Sequence, residues 1–261
     1  HVETVASAVE PLLVPDIPAF LWWKDIPHYE DKLFTRLVEM VDRVVIDSAA
    51  FDHPQADLRH VARLVESRPD VLRISDINWG RLTTWRNLIA SFWDVPDYRA
   101  HLDALDSVIL EYEPSAAARD EIAAQPLLVA GWLASRLGWR IVGAPARDEK
   151  ALRFDLESDS RAIKLELRAT DGRGGGGCLR RIVFGSANGV SEFYARLDEG
   201  AARLETSAKI GDALQIGRVL AYEAKTQGQR LSRELNILAR DEVYEQAVEA
   251  VAKLIAVLVR E

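Results

Sequence analysis

The period of the apolar residues changes partway along this chain, and that change limits its fold more than any other feature. Before about residue 140 the short apolar runs are nearly continuous, as in "AFLWWK" (19–24) and "RVVIDSA" (43–49). A continuous run suits a strand covered on both faces, as in a parallel sheet under helices. Beyond residue 140 the runs alternate: Leu152, Phe154 and Leu156 with Arg153, Asp155 and Glu157, then Ile163, Leu165 and Leu167 with Lys164, Glu166 and Arg168. Strict period two leaves one wet face and marks antiparallel strands.

Helical spacing fills the intervals. Residues 2–13 place Val2, Val5, Ala6, Val9 and Leu13 near one face, and Pro15 and Pro18 break that helix. Asp31 or Tyr29 opens a second, with Leu33, Leu37, Met40 and Val41 as its stripe. Asp57 is expected to cap a third, bearing Leu58, Val61, Ala62 and Val65. In "SDINWGRLTTWRNLIASFWD" (75–94) Asp76 caps a helix with Leu82, Trp85, Ile89 and Phe92 on one side and Arg81, Thr84, Asn87 and Ser91 on another. "DSVILEYE" (106–113) reads as a strand, and "QPLLVAGWLASRLGW" (125–139) as an apolar helix with Gly138 as its C-cap. "DGRGGGG" (171–177) and "GSANG" (185–189) read as turns. A last helix from Asp241 carries Tyr244, Ala247, Val248, Val251, Leu254, Ile255 and Leu258.

The expected fold class is α/β: a helix-covered, mainly parallel sheet over residues 1–140, then a mainly antiparallel α+β half over 141–261 ending in a long helix. Because the chain opens with a helix that ought to follow a strand and lacks an initiator Met, further strands are expected ahead of His1. A chain of 261 residues with 48% hydrophobic and 28% charged residues can bury a core without disulfide staples. The longest uncharged run, Ile122 to Ser135, falls short of the roughly 20 residues that span a membrane. The opening residues carry no basic leader. One cysteine, Cys178, leaves no disulfide and no cysteine-based zinc site within the chain, which fits a cytoplasmic setting. A net charge of −8 argues against nucleic acid as a partner.

Catalytic and cofactor motifs are missing. No P-loop, nucleophile elbow or H-E-x-x-H occurs, and the glycine tract does not lie between a strand and a helix, so no cofactor is expected. His53, Asp57 and His60 could approach one another at a helix start, but such groups are commonplace on surfaces, and no metal is expected. The pairs Asp120–Glu121 and Asp241–Glu242 read as solvated helix starts. Cys178 neighbours Arg180 and Arg181, whose charge would favour the thiolate and a reactive or redox role. Tryptophan is the prominent residue: Trp22, Trp23, Trp79, Trp85, Trp93, Trp132 and Trp139. Aromatic and arginine side chains carry interface energy, so Trp79, Arg81, Trp85 and Arg86, then Trp22 and Trp23, are candidate partner-binding residues; each tryptophan has core packing as its alternative.

The stretches "PDIPAFLWWKDIP" (15–27), "RVVIDS" (43–48), "INWGRLTTWR" (77–86) and "LLVAGWLASRLGW" (127–139), with "ILARDEVYEQAVE" (237–249) as a weaker match, occur in an order that resembles the glucose-6-phosphate dehydrogenase assembly proteins, the OpcA family. The resemblance implies a non-catalytic allosteric activator. Such a protein binds glucose-6-phosphate dehydrogenase, promotes its active oligomer and supports the oxidative pentose phosphate pathway and NADPH supply. It also implies redox regulation through thioredoxin in oxygenic photosynthetic bacteria, and from this the chain departs, since Cys178 alone forms no internal disulfide. The family has no established catalytic residues to carry over. The alternative from another class is a small-molecule-binding or enzymatic α/β protein with its site at the strand ends near Asp47 and Ser48.

Overall fold

The structure is a computed structural model describing residues 2–258 except 15, 29, 68–71, 117, 119–120, 160, 172–174, 187–188, 223–224 and 238. The expected break at Pro15, the helix start at Tyr29, Asp120, Gly172–Gly174 of the glycine tract and Ala187–Asn188 of the later turn lie outside the described residues.

The first sheet is parallel, in the order β1 (Phe20–Trp22), β2 (Arg43–Ile46), β3 (Arg73–Asp76). β2 lies in the middle with Val44, Val45 and Ile46 wholly buried, as a nearly uninterrupted apolar run requires. Helices α1 (Val2–Val9), α2 (Lys32–Val38) and α3 (Pro54–Ser67) alternate with its strands along the chain. Asp31 caps α2 by accepting the N–H groups of Leu33 and Phe34 at 2.8 and 3.2 Å. Two details differ from the sequence expectation. The buried stripe of α2 is Phe34, Leu37 and Val38, because the helix ends at Val38, ahead of Met40 and Val41. Asp57 lies inside the first turn of α3 instead of before it, and its carboxylate reaches back to the His53 N–H at 3.2 Å.

After β3 the chain turns into α4 (Ile77–Arg81) and α5 (Thr83–Ala90), separated at Leu82 where the spacing predicts one helix, and then α6 (Pro96–Leu102). Next comes β4 (Leu105–Tyr112), then α7 (Ala124–Leu137), which closes on Gly138 in the left-handed region at φ 65°.

The second sheet has nine strands. In chain order after β4 these are β5 (Arg140–Ile141), β6 (Ala146–Arg147), β7 (Ala151–Ser158), β8 (Arg161–Ala169), β9 (Leu179–Ser186), β10 (Ser191–Asp198), β11 (Arg203–Ile210) and β12 (Ala213–Ala221). Their lateral order is β12-β11-β10-β9-β4-β8-β7-β5, with β6 also on β7. Every pairing is antiparallel except β4 with β8. β4 therefore occupies the centre of the large sheet, burying Leu105, Val108, Leu110 and Tyr112. The outward residues of the neighbouring strands form ion pairs such as Arg153–Glu166, Arg168–Glu166 and Arg196–Glu205.

Two helices complete the chain, α8 (Gln227–Leu235) and α9 (Glu242–Ala256). α9 presents Tyr244, Ala247, Val248, Val251, Leu254 and Ile255 to the core and packs on α7 and α3. The α7–α9 crossing is close because Gly131 has no side chain there: a Cβ would lie 2.3 Å from the Ala247 carbonyl oxygen. The fold is thus the expected α/β class, with a parallel sheet near the N-terminus, a mixed second sheet and a C-terminal helix.

Candidate functional site

Open α/β sheets place ligands beyond the carboxyl ends of their strands. Here β2 and β3 end there in Asp47–Ser48 and Asp76–Asn78. Asp76 is 1% exposed and accepts the Ser48 N–H at 3.0 Å, the Ser48 hydroxyl at 2.6 Å and the Asn78 N–H at 2.9 Å. Asn78 Nδ2 donates to Ser48 Oγ at 3.1 Å, and Gln125 Nε2 donates to Asn78 Oδ1 at 3.0 Å. Gln125 Oε1 accepts the Leu179 N–H at 2.9 Å, which carries the network from β3 through α7 to β9. Burial pushes the Asp76 carboxyl up to about 6, against the hydrogen bonds that favour its ionised form.

This network fills the crevice with the chain's own side chains. Ser48, Asp76, Asn78 and Gln125 are all buried. Ser48 hydrogen-bonds directly to the Asp76 carboxylate, with no histidine between them among the described residues, so a serine–histidine–carboxylate relay is not formed there. Asp47 is occupied as well: its carboxylate holds both terminal nitrogens of Arg81, one at 2.7 Å. The alternative of a ligand or reaction site at Asp47 and Ser48 therefore meets groups already satisfied by one another.

The candidate binding residues separate by depth. Trp79 and Trp85 are 3% and 1% exposed. Both lie in the main core, and Trp79 Nε1 donates to Asp241 at 2.9 Å with its ring 5.7 Å from that of Tyr244. The Arg86 guanidinium stacks on Trp79, 3.5 Å from the ring centroid. Burial lowers Arg86 to about 10. These contacts clasp α4 and α5 to α9, so Trp79 and Trp85 are internal, Arg86 is half-buried against Trp79 and Arg81 is bound to Asp47. The shared Arg81–Trp85 surface expected from one continuous helix is absent, because the break at Leu82 turns Trp85 inward. Asp241, expected as a solvated helix start, caps α9 at the Tyr244 N–H and binds Trp79. Trp23 is half-buried against Phe34, 5.1 Å between rings. Trp22 is half-buried on the edge strand β1 with Lys24 Nζ 4.5 Å from its ring centre.

Cys178 is half-buried, and burial raises its thiol pKa despite Arg180. Arg180 is drawn off by ion pairs to Glu113 and Glu199, so the thiolate expected from sequence neighbours is not favoured. Of the expected histidine group, His53 instead contacts Glu121 at 3.1 Å. His28, Asp57 and His60 are the side chains that converge, with candidate ligand atoms within 4.8 Å of one another.

Sequence reasoning passes over β12, an edge strand exposed along its whole length. Leu214, Ile216, Val219 and Leu220 are 66%, 83%, 50% and 42% exposed. An apolar edge strand of this kind marks an interaction surface. Its signal lies in "ALQIGRVLA", an apolar strand without a charge between Ala213 and Gly217.

The fold and the strand-end network define an α/β protein with a parallel sheet, a mixed second sheet and a C-terminal helix, in which the polar groups at the strand ends bind one another. The fold is similar to aldose-aldose oxidoreductase from Caulobacter crescentus (TM-score 0.59, 12% identity, 98% of this chain and 80% of that one) and to the transcriptional regulator Gal80p from Kluyveromyces lactis (TM-score 0.52, 10% identity, 100% and 77%). An oxidoreductase and a regulator share it, so the fold alone assigns no activity. The chain belongs to the OpcA family of glucose-6-phosphate dehydrogenase subunits. The family's N-terminal domain matches residues 1–63 and its C-terminal domain residues 72–248. It is 29% identical to the OxPP cycle protein OpcA of Synechocystis sp. (97% of this chain, 53% of that protein) and 29% identical to that of Nostoc punctiforme (97% and 54%). The chain spans about half the length of these curated relatives. Among the described residues no helix is long and apolar enough to cross a membrane.

Proposed function

We propose that this chain acts without catalysis of its own, binding glucose-6-phosphate dehydrogenase and favouring its active oligomer as an allosteric activator in NADPH supply through the oxidative pentose phosphate pathway. The observation that carries this reading is the family membership, whose two domains, described as parts of a glucose-6-phosphate dehydrogenase subunit, match in order along the chain. The filled crevice supports it, since the groups that would do chemistry at the strand ends bind one another. The surface we assign to the dehydrogenase is β12, where four apolar side chains stand in solvent beside a strand edge left unpaired by the described residues. Trp22, on the edge of the small sheet, is the second surface; Trp79 and Trp85 serve as internal supports.

Within this segment Cys178 has no second cysteine to pair with, so thioredoxin control here would run through a mixed disulfide. The raised thiol pKa works against rapid formation of one. The test is to titrate the chain into the dehydrogenase of its own organism and follow NADPH production under reducing and oxidising conditions. The reading requires a higher rate or a lower half-saturating substrate level; an unchanged enzyme at saturating protein contradicts it.

A further inference from the structure

A cavity of about 200 Å³ opens between the α4–α5 corner, the end of β12 and α8. Its wall includes Arg81, Thr84, Tyr222, Lys225, Arg230 and Arg233, with Glu234 as its acidic member. We propose that this cavity is a binding site for a small phosphate monoester, the phosphoryl group held by Arg230 and Arg233 with Lys225 and Arg81 beside it.

Charge is the first argument. Arg81 shares its charge with Asp47, but Lys225, Arg230 and Arg233 form no ion pair with any carboxylate among the described residues. Arg230 Nε donates to the Lys225 carbonyl at 2.9 Å, which holds the side chain over the cavity and leaves its terminal nitrogens for another acceptor. Burial, then the charge of Arg81, lowers the Arg230 pKa, and Asp47 offsets only part of this. Glu234 neutralises little of this excess. Burial, then the nearby Asp76, raises its carboxyl to about 7, so it is protonated for much of the time at neutral pH.

Size and chemistry narrow the ligand. The volume lies below the roughly 300–1,000 Å³ of drug-sized sites and is too small for a polypeptide segment. Arginine forks pair with phosphate and carboxylate oxygens alike, in hydrogen bonds a halide cannot match. A phosphoryl group, however, brings nearly two charges and three acceptor oxygens to these gathered cations, more than a lone carboxylate offers. The Thr84 hydroxyl and the Tyr222 phenol add neutral groups for the organic part. The cavity touches the strand-end network only through Arg81, which is paired with Asp47, and phosphate binding does not rest on the dehydrogenase-binding reading: either can fail without the other.

The experiment is calorimetric titration of the whole chain with inorganic phosphate, ribose 5-phosphate and ribose, with sodium chloride at matched ionic strength. The expected result is saturable heat from both phosphates and none from ribose or chloride. Arg230→Gln and Arg233→Gln should each weaken phosphate binding about tenfold or more. Lys150→Gln, a surface charge elsewhere paired with Asp171, should leave it unchanged. Arg233 is exposed, so its replacement is expected to preserve the melting temperature, which is checked alongside. Absence of phosphate heat, equal heat from chloride, or full binding in folded Arg230→Gln and Arg233→Gln proteins would each overturn the proposal.

Discussion

Replacing Asp76 by asparagine should change how the stability of this protein depends on pH. Folding moves the Asp76 carboxyl from 3.8 to about 6, so between those values the folded chain binds a proton that the unfolded chain has released. Stability from this group is therefore present at low pH and lost as pH rises through 6. Moving from 3.8 to about 6 corresponds to about 3 kcal/mol in full, of which about 1.4 kcal/mol is lost between pH 5 and 8. The substituted amide keeps one oxygen for the N–H groups of Ser48 and Asn78 and turns its nitrogen to Ser48 Oγ. The cost of Asp76→Asn at pH 5 should be about 1 kcal/mol. Glu234 moves stability the same way and His60, lowered by burial, the opposite way, so the comparison is made between the two proteins at each pH. Urea unfolding at pH 5 and pH 8 should show a loss of stability smaller by about 1.4 kcal/mol in Asp76→Asn. Equal losses in both proteins would refute the argument that Asp76 is held protonated by burial in this network.

Gly131→Ala should destabilise the protein by about 2 kcal/mol in thermal unfolding, because the new Cβ meets the Ala247 carbonyl and Val251 across the α7–α9 contact; an unchanged melting temperature would mean the helices separate freely. Cys178 should react with iodoacetamide at pH 7.5 more slowly than glutathione does, and faster once unfolded in urea, since burial raises its pKa; a folded-state rate equal to that of glutathione would contradict this.

Much of the layering is legible in the residues. Period two in 152–168 and the continuous runs at 19–24 and 43–49 give strand type directly, because burial on one or both faces selects them. The position of β4 is not legible, since its parallel pairing with β8 joins residues far apart that alternate like any half-covered strand. α8 escapes because it buries only Glu234 and so carries no apolar stripe. Trp79 and Trp85 read as core with interface as the alternative, for aromatic residues at helical spacing serve either, and burial decides for both, with the Trp79–Asp241 bond joining residues far apart in the chain. Cys178 misleads through its sequence neighbours: Arg180 is spent on Glu113 and Glu199, and desolvation outweighs what charge remains. The phosphate cavity draws on residues 77–84 and 221–234, a juxtaposition that folding alone creates.

The docking we propose, of β12 on glucose-6-phosphate dehydrogenase, is tested most directly by light scattering on the purified pair. The wild-type chain should shift the enzyme to a larger complex of defined mass. Ile216→Lys, at a position 83% exposed, should keep its melting temperature and bind at least about 30-fold more weakly, as expected for loss of an interface anchor worth about 2 kcal/mol. A dehydrogenase whose mass is unchanged by the wild-type chain, or one that binds the folded Ile216→Lys protein as well, would contradict the account.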